Sequence, residues 1–171
     1  MTVIKQKNIS VNNINFSNSE KIVLIAGPCA IESLDHAINV TGIIKDICNS
    51  LSIDFVYKSS FDKANRSSIE SKRGIGLEKS LRIFEELKNK YDCSIITDVH
   101  ETSHCQEISK YVDILQIPAF LSRQTDLLIS AAKTKKTVMV KKGQFSAPWD
   151  MKNVVENSKQ MTSMKDKLQA K

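Results

Sequence analysis

Short apolar runs alternate with longer amphipathic segments along most of this 171-residue chain, and this alternation constrains its fold more than any other feature. The runs are continuous rather than alternating, which is typical of strands that are buried on both faces. Strands of this kind, separated by helices, predict βα units and a parallel sheet. The five predicted strands are Lys21–Ala26, Ile53–Tyr57, Ser94–Thr97, Val112–Ile117 and Thr137–Val140.

The segments between these strands have helical spacing of their apolar residues. Leu77, Leu81, Phe84 and Leu87, for example, fall on one helix face with charges opposite. The opening segment alternates loosely, with Ile4, Ile9, Val11, Ile14 and Phe16 as its apolar positions, and predicts a hairpin that caps the sheet. The predicted helices are Ser33–Leu51, Leu77–Tyr91, Thr102–Tyr111 and Thr125–Lys133. Such repeats close either as an open doubly wound sheet or as an eight-stranded barrel, and periodicity alone leaves that choice open.

The net charge of +6 is concentrated in two regions of the chain. Residues 57–90 and 133–171 both carry a surplus of Lys and Arg, which fits nucleic acids or small anionic ligands such as sugar phosphates. Aromatic residues make up only 6% of the chain and do not alternate with the basic residues, as a surface for single-stranded nucleic acid would require. We therefore expect no nucleic-acid partner, and a solvated basic helix face remains the alternative explanation for part of the charge.

The sequence predicts neither membrane insertion nor export. It contains no apolar run of about 18 residues, and its first 18 residues are polar and rich in Asn and Ser. The four cysteines, at positions 29, 48, 93 and 105, have no CxxC spacing, so we expect no disulfide framework. A cytoplasmic location is the resulting expectation.

Polar and cationic residues follow the carboxyl ends of all five predicted strands, where parallel sheets bind ligands. Lys58, Lys63, Arg66 and Ser67 could hold one phosphate, and Arg123 with Lys141 could hold a second anion. For any single lysine here, a solvated surface charge is the more common role. Cys29 follows a Gly-Pro turn at a strand end and could be a metal ligand or a nucleophile, although a buried, inert thiol is the more common role for such a cysteine.

Several of these segments resemble the 3-deoxy-D-manno-octulosonate-8-phosphate synthase family. The most specific is the block FDKANRSS; the sister heptulosonate-phosphate synthases usually carry a KPRTS-like block there. The matching segments are AGPCAIES at 26–33, KSSFDKANRSS at 58–68, ITDVHE at 96–101, QIPAFLSRQTDL at 116–127 and VKKGQF at 140–145. The resemblance runs from Val3 to about Val155.

The resemblance implies a (β/α)8 barrel in a homotetramer, of which this chain would form the first five β/α units with an N-terminal hairpin. It implies a transferase that condenses phosphoenolpyruvate with arabinose 5-phosphate and water, releases phosphate and serves lipopolysaccharide (Kdo) biosynthesis. We expect an incomplete barrel domain at 1–156 and a non-matching polar tail at 157–171, and therefore weak or no activity of this chain alone. The alternatives are the heptulosonate-type reaction, with erythrose 4-phosphate as the sugar, and an inactive sugar-phosphate-binding remnant.

The resemblance also assigns roles to individual residues. Lys63, Asn65 and Asp98 would be catalytic, and Cys29 would bind a divalent metal such as Fe, Mn or Zn, because the metal-dependent class of the family has Cys at this position. The metal would orient the aldehyde or the water. The substrate-binding residues implied by the matching motifs are Lys58, Lys63, Asn65, Arg66, Ser67, Gln116, Arg123, Lys141 and Gln144.

Overall fold

The computed structural model describes residues 8–156, so Ile4 of the predicted hairpin and the predicted tail at 157–171 lie outside the described residues. This part of the chain contains seven strands, four α-helices and two short 3-10 helices at Ala119–Leu121 and Pro148–Asp150, and residues 151–156 are also helical. The strands are β1 (Ile9–Val11), β2 (Ile14–Phe16), β3 (Val23–Ala26), β4 (Asp54–Lys58), β5 (Ser94–Asp98), β6 (Ile114–Ile117) and β7 (Thr137–Val140). The helices are α1 (Leu34–Ser50), α2 (Leu77–Tyr91), α3 (Thr102–Ile108) and α4 (Thr125–Lys133).

The predicted α/β architecture is confirmed. Strands β3 to β7 form a five-stranded sheet in sequential order, and β1 and β2 form a separate antiparallel hairpin. Strand β3 is parallel to β4, β4 to β5, and β6 to β7, as expected of consecutive βα units. The described residues divide into two compact units, 8–96 and 97–156, with the boundary inside β5.

The prediction that 21–26 forms a fully buried strand is wrong. Strand β3 begins only at Val23, Ile22 is 74% exposed and Leu24 is 40% exposed. Strand β3 lies at one end of the sheet order and pairs with β4 on one side, so its residues receive less cover than those of β5, which are all buried. Apolar content therefore predicted the strand correctly but not its degree of burial.

Two other predicted boundaries shift by more than one residue. The fourth predicted strand, 112–117, begins at Ile114, and the third predicted helix, 102–111, ends at Ile108. Val112 is completely buried although it precedes the strand, and its amide donates to the carbonyl oxygen of Ile108 at 3.2 Å. The backbone here closes the end of the helix instead of joining the sheet, which a pattern of apolar residues does not distinguish.

Helices α1 and α2 pack together in the first unit. The apolar face predicted for α2 is buried, with Phe84 and Leu87 completely inaccessible to solvent. The Tyr91 hydroxyl, at the end of α2, donates to the carbonyl oxygen of Ile38 in α1 at 2.9 Å. Lys45 of α1 in turn donates from Nζ to the carbonyl oxygen of Tyr91. These contacts fix the two helices of the first unit against each other.

The hairpin is also anchored within the first unit. Val11 and Ile14 are buried, and the Asn12 side chain donates from Nδ2 to the Ser94 hydroxyl at 2.9 Å. Ser94 is the first residue of β5. The hairpin therefore lies at the amino end of that strand, opposite the end where parallel sheets bind ligands.

In the second unit, α3 and α4 contact each other and β6 pairs with β7. The Ser130 hydroxyl of α4 donates to the carbonyl oxygen of Thr102 at 2.8 Å. Leu115 and Ile117 of β6 are completely buried. This packing holds the carboxyl ends of β6 and β7 next to each other.

Candidate functional site

In the first unit, the chain that leaves β3 runs beside the chain that leaves β4. The amide of Ile31 donates to the carbonyl oxygen of Ser60 at 3.0 Å, and the Ser59 hydroxyl donates to the carbonyl oxygen of Pro28 at 2.7 Å. Gly27 makes this approach possible, because a Cβ at this position would overlap the carbonyl oxygen of Lys58. The Gly27-Pro28 element of the sequence therefore lies where the chain segments after two neighbouring strands contact each other.

Cys29 lies at this junction with an exposed side chain. Its carbonyl oxygen accepts a hydrogen bond from the Ser60 amide at 3.4 Å. Within residues 8–156, no group of three or more His, Cys, Asp and Glu side chains is placed to hold a metal ion. Cys29 alone supplies one donor, whereas a tight divalent site needs at least three protein ligands, so the described residues do not fit such a site.

The segment after β4 carries most of the predicted substrate-binding residues of this unit. The Lys63 ammonium donates to the Ser60 hydroxyl at 2.9 Å, which holds this half-buried cation at the strand end. Asn65, Arg66 and Ser67 follow with exposed side chains. Arg66 donates from Nε to the carbonyl oxygen of Lys72 at 3.2 Å, a contact that crosses the loop.

The two ends of this loop meet at its base. Arg73 donates from Nε to Oδ1 of Asp62 at 2.8 Å, and a second guanidinium nitrogen contacts Oδ2, so the pair is bidentate. The hydrogen bond to Asp62 is the main cause of the raised pKa of Arg73. The Lys63 amide also donates to the carbonyl oxygen of Arg73 at 2.6 Å. Arg73 belongs to no motif of the sequence and was not among the predicted site residues.

Gly74 continues this closure by packing against the chain at the start of the loop. It has φ +133°, and a Cβ there would overlap the carbonyl oxygen of Phe61. The Phe61 side chain is 3% exposed, which ties the base of the loop to the core. The loop therefore leaves the core and returns to it at one point, and its exposed residues lie between the two passages.

In the second unit, two of the predicted residues contact each other directly. Asp98, at the end of β5, and Gln116, in β6, are both buried, and the Gln116 amide donates from Nε2 to Oδ1 of Asp98. The amide of Val99 donates to the carbonyl oxygen of Gln116 at 3.0 Å. Sequence analysis predicted both side chains near strand ends, and their contact is a finding of the structure.

The remaining predicted residues of this unit lie on two neighbouring segments. Arg123, Lys141 and Gln144 all have exposed side chains. The Lys141 amide donates to the carbonyl oxygen of Ile117 at 3.0 Å, and this bond extends the pairing of β6 and β7. The exposed cations thus follow adjacent strands, as the sequence predicted.

Gly143 brings these two segments into close contact. A Cβ added to it would lie 3.0 Å from the Ser122 hydroxyl and 3.1 Å from the carbonyl oxygen of Ala119. The Lys142 ammonium donates to the carbonyl oxygens of Gly143 and Ser146, at 2.8 Å and 2.9 Å. Lys142 therefore stabilises its own turn, whereas its neighbour Lys141 is the cation that was assigned to substrate.

Within the described residues, no helix has the length and apolar character needed to cross a bilayer.

Comparison with known proteins shows which family this sequence matches. The sequence matches the DAHP synthetase I family over residues 1–169. It is 60% identical over 149 residues to the 2-dehydro-3-deoxyphosphooctonate aldolase of Rickettsia prowazekii, an alignment that covers 87% of this chain and 54% of the relative. The protein of the same name from Bartonella tribocorum is 59% identical, over 86% of this chain and 53% of the relative. The one from Agrobacterium fabrum is 56% identical, over 84% of this chain and 51% of the relative. The chain spans about half the length of these relatives.

Proposed function

Because the chain belongs to the DAHP synthetase I family, we propose that it carries substrate-binding residues of a transferase that makes 3-deoxy-D-manno-octulosonate 8-phosphate. The relatives named 2-dehydro-3-deoxyphosphooctonate aldolase support this product rather than the heptulosonate. The substrates would be phosphoenolpyruvate, arabinose 5-phosphate and water.

The proposed reaction forms one carbon–carbon bond and one carbon–oxygen bond, and it breaks one carbon–oxygen bond. The methylene carbon of phosphoenolpyruvate attacks the aldehyde carbon of the sugar, whose oxygen takes up a proton. Water adds to the neighbouring carbon of the enol phosphate and releases one proton, which balances the proton taken up by the sugar oxygen. The bond from that carbon to the phosphate oxygen then breaks, and the new hydroxyl gives its proton to the leaving phosphate and becomes the keto oxygen.

The observation that carries this proposal is the closed loop after β4. It presents Asn65, Arg66 and Ser67 to solvent next to the anchored Lys63 ammonium. A guanidinium, a hydroxyl and an amide together can donate several hydrogen bonds to one phosphate, and the ammonium adds a point charge. We assign this loop to the phosphate of arabinose 5-phosphate and Lys63, with Lys58 nearby, to phosphoenolpyruvate.

The second unit carries a further set of polar and charged groups. Arg123 and Lys141 are exposed cations suited to a carboxylate or a phosphate, and Gln144 is an exposed amide. The buried Asp98 carboxylate is oriented by the Gln116 amide, so it can accept a proton or a hydrogen bond in a fixed direction. These assignments follow the roles that the sequence motifs imply.

The proposal extends to features that belong to the whole protein. A homotetramer, a cytoplasmic location and a role in lipopolysaccharide biosynthesis accompany the proposed activity. A divalent metal remains part of the proposal only through Cys29. Since the described residues include no group of three or more potential ligands, no step of the proposed reaction is assigned to a metal.

Calorimetric titration tests the sugar specificity. We expect the chain to bind arabinose 5-phosphate, to bind erythrose 4-phosphate more weakly and not to bind arabinose, which lacks the phosphate. Arg66→Ala should weaken binding of arabinose 5-phosphate roughly tenfold, because a charge-assisted hydrogen bond contributes about 1.5 kcal/mol.

Arg82→Ala is the matched control, because Arg82 is an exposed arginine of α2, outside the loop. It removes the same charge and should leave the affinity unchanged. Equal binding of arabinose and arabinose 5-phosphate would contradict the proposal, as would equal losses in the two variants. Phosphate release from phosphoenolpyruvate in the presence of each sugar then measures whether this chain turns over by itself.

A further inference from the structure

We propose that Asp62 and Arg73 are positioning residues for phosphate binding, because their ion pair closes the loop that carries Asn65, Arg66 and Ser67. This inference rests on the proposed function of that loop. Neither residue of the pair has a role in the function proposed above, and both lie at the base of the loop rather than among its exposed binding groups.

The geometry of the pair favours a closing role over a general electrostatic one. The Asp62 side chain is 20% exposed and the Arg73 side chain is 60% exposed, so the carboxylate is partly covered while the guanidinium reaches it from solvent. Two guanidinium nitrogens contact two carboxylate oxygens, which fixes the mutual orientation as well as the distance. Most exposed ion pairs contribute little, and bidentate Arg–carboxylate pairs are the main exception.

The contacts around the pair all join the two ends of the same loop. The Lys63 amide donates to the carbonyl oxygen of Arg73 at 2.6 Å, and the amide of Gly76 donates to the carbonyl oxygen of Phe61 at 3.3 Å. The cross-loop bond from Arg66 to the carbonyl oxygen of Lys72 lies directly before Arg73. Opening the ion pair would therefore release the position of Arg66, the residue assigned to the sugar phosphate.

The ion pair favours phosphate binding by preorganising the loop. A loop that is already closed loses less conformational entropy when it binds a phosphate than an open loop does. Electrostatics alone predicts the opposite effect for Asp62, because a carboxylate next to an anion site repels the anion. The closing role, in contrast, predicts that the ion pair increases the affinity for phosphate.

Asp62→Asn separates the two effects by sign. The substitution removes a negative charge near the loop, so simple electrostatics predicts tighter binding of an anion. Loss of closure predicts weaker binding, and we expect arabinose 5-phosphate to bind about fivefold more weakly, the upper end for an exposed ion pair. Arg73→Gln should give a similar loss, and the double exchange Asp62→Arg with Arg73→Asp should restore most of the affinity.

Lys72→Gln is the matched control for Arg73→Gln, since it removes one positive charge from the adjacent residue and leaves the pair intact. The affinity of the Lys72→Gln variant for arabinose 5-phosphate should change less than the affinity of the Arg73→Gln variant. The order of the loop is measured separately, without any ligand, as the rate of tryptic cleavage after Lys63 and Arg66. Both single variants of the pair should be cleaved faster than the wild type, and the double exchange should be cleaved at close to the wild-type rate.

Each result decides whether the ion pair positions the loop for phosphate binding. Tighter binding by Asp62→Asn, or unchanged cleavage in both single variants, would overturn the positioning role. Faster cleavage with unchanged affinity would also overturn it, because closure would then not affect binding. If the wild type itself fails to bind arabinose 5-phosphate, the proposed function is refuted, and the positioning role that rests on it falls as well, even if cleavage shows that the pair orders the loop.

Discussion

The effect on stability of substituting Gly42, in the middle of α1, should depend on Tyr91. A Cβ at position 42 would lie 2.8 Å from the Tyr91 hydroxyl oxygen, which is too close, but 3.5 Å and 3.7 Å from the nearest ring carbons, which is ordinary contact. The hydroxyl occupies that space because it donates to the carbonyl oxygen of Ile38 at 2.9 Å. The tyrosine hydroxyl alone therefore opposes an alanine in this helix.

The expected magnitudes follow from two terms. Alanine is favoured over glycine in a helix interior by about 1 kcal/mol. Moving the hydroxyl out of its hydrogen bond costs about 1 kcal/mol. Gly42→Ala should thus leave the free energy of unfolding nearly unchanged, and Tyr91→Phe should lower it by about 1 kcal/mol. In the double variant the alanine fits without displacing a hydroxyl, so the free energy of unfolding should return to near the wild-type value.

Urea denaturation of the four proteins measures this coupling. The cycle predicts an interaction energy of about 1 kcal/mol between positions 42 and 91. Asn39→Ala is the control, because Asn39 is exposed on the same helix. Its effect should be the same with Tyr91 or Phe at position 91. If Gly42→Ala changes stability equally in both backgrounds, the close contact between the two helices is not as described.

Three further predictions concern the strand ends and the core. Gly27→Ala should lower the free energy of unfolding, measured by urea denaturation, by about 3 kcal/mol. The new Cβ would overlap the Lys58 carbonyl oxygen and separate two segments that are joined by three hydrogen bonds of about 1 kcal/mol each. A loss below about 1 kcal/mol would contradict this prediction. Burial raises the pKa of the Tyr57 hydroxyl from 10.0 to about 12. The contribution of this group to the free energy of unfolding should be fully present below pH 10, and about 3 kcal/mol should be lost as the pH rises from 10 through 12. That decline should be smaller in Tyr57→Phe. Phe84→Ala should cost about 3–5 kcal/mol, whereas Phe120→Ala, at a side chain that is 58% exposed, should change stability by less than about 0.5 kcal/mol in the same assay.

Much of the candidate site could be predicted from the sequence, because it follows a rule of topology. Parallel strands place their carboxyl ends at one edge, so residues such as Lys63 and Asp98 could be assigned to strand ends from hydrophobic runs alone. The roles of these residues in catalysis and binding stay predictions, since they come from the resemblance of motifs. The family itself is confirmed by the match over residues 1–169.

The contacts that shape the site could not be predicted in the same way. Asp62 and Arg73 are 11 residues apart in a segment without periodicity, and their pairing depends on where the loop returns to the core. Gln116 and Asp98 are 18 residues apart on different strands, and their hydrogen bond depends on how the backbone of those strands is paired. Side-chain pairs of this kind are set by backbone positions that several elements determine together.

The sequence alone was enough to predict which segments are strands and which are helices, because apolar spacing follows local backbone geometry. The residues that follow the strand ends could then be named from the positions of the strands. Tertiary structure alone decided how far each strand is buried. Ile22 and Leu24 are as apolar as Ile95 and Ile96 of β5, which are completely buried. They are nevertheless exposed, because β3 and the residue before it lie at an end of the sheet order. It also decided that the loop after β4 is closed, since an ion pair between distant residues forms only when the folded chain brings its ends together.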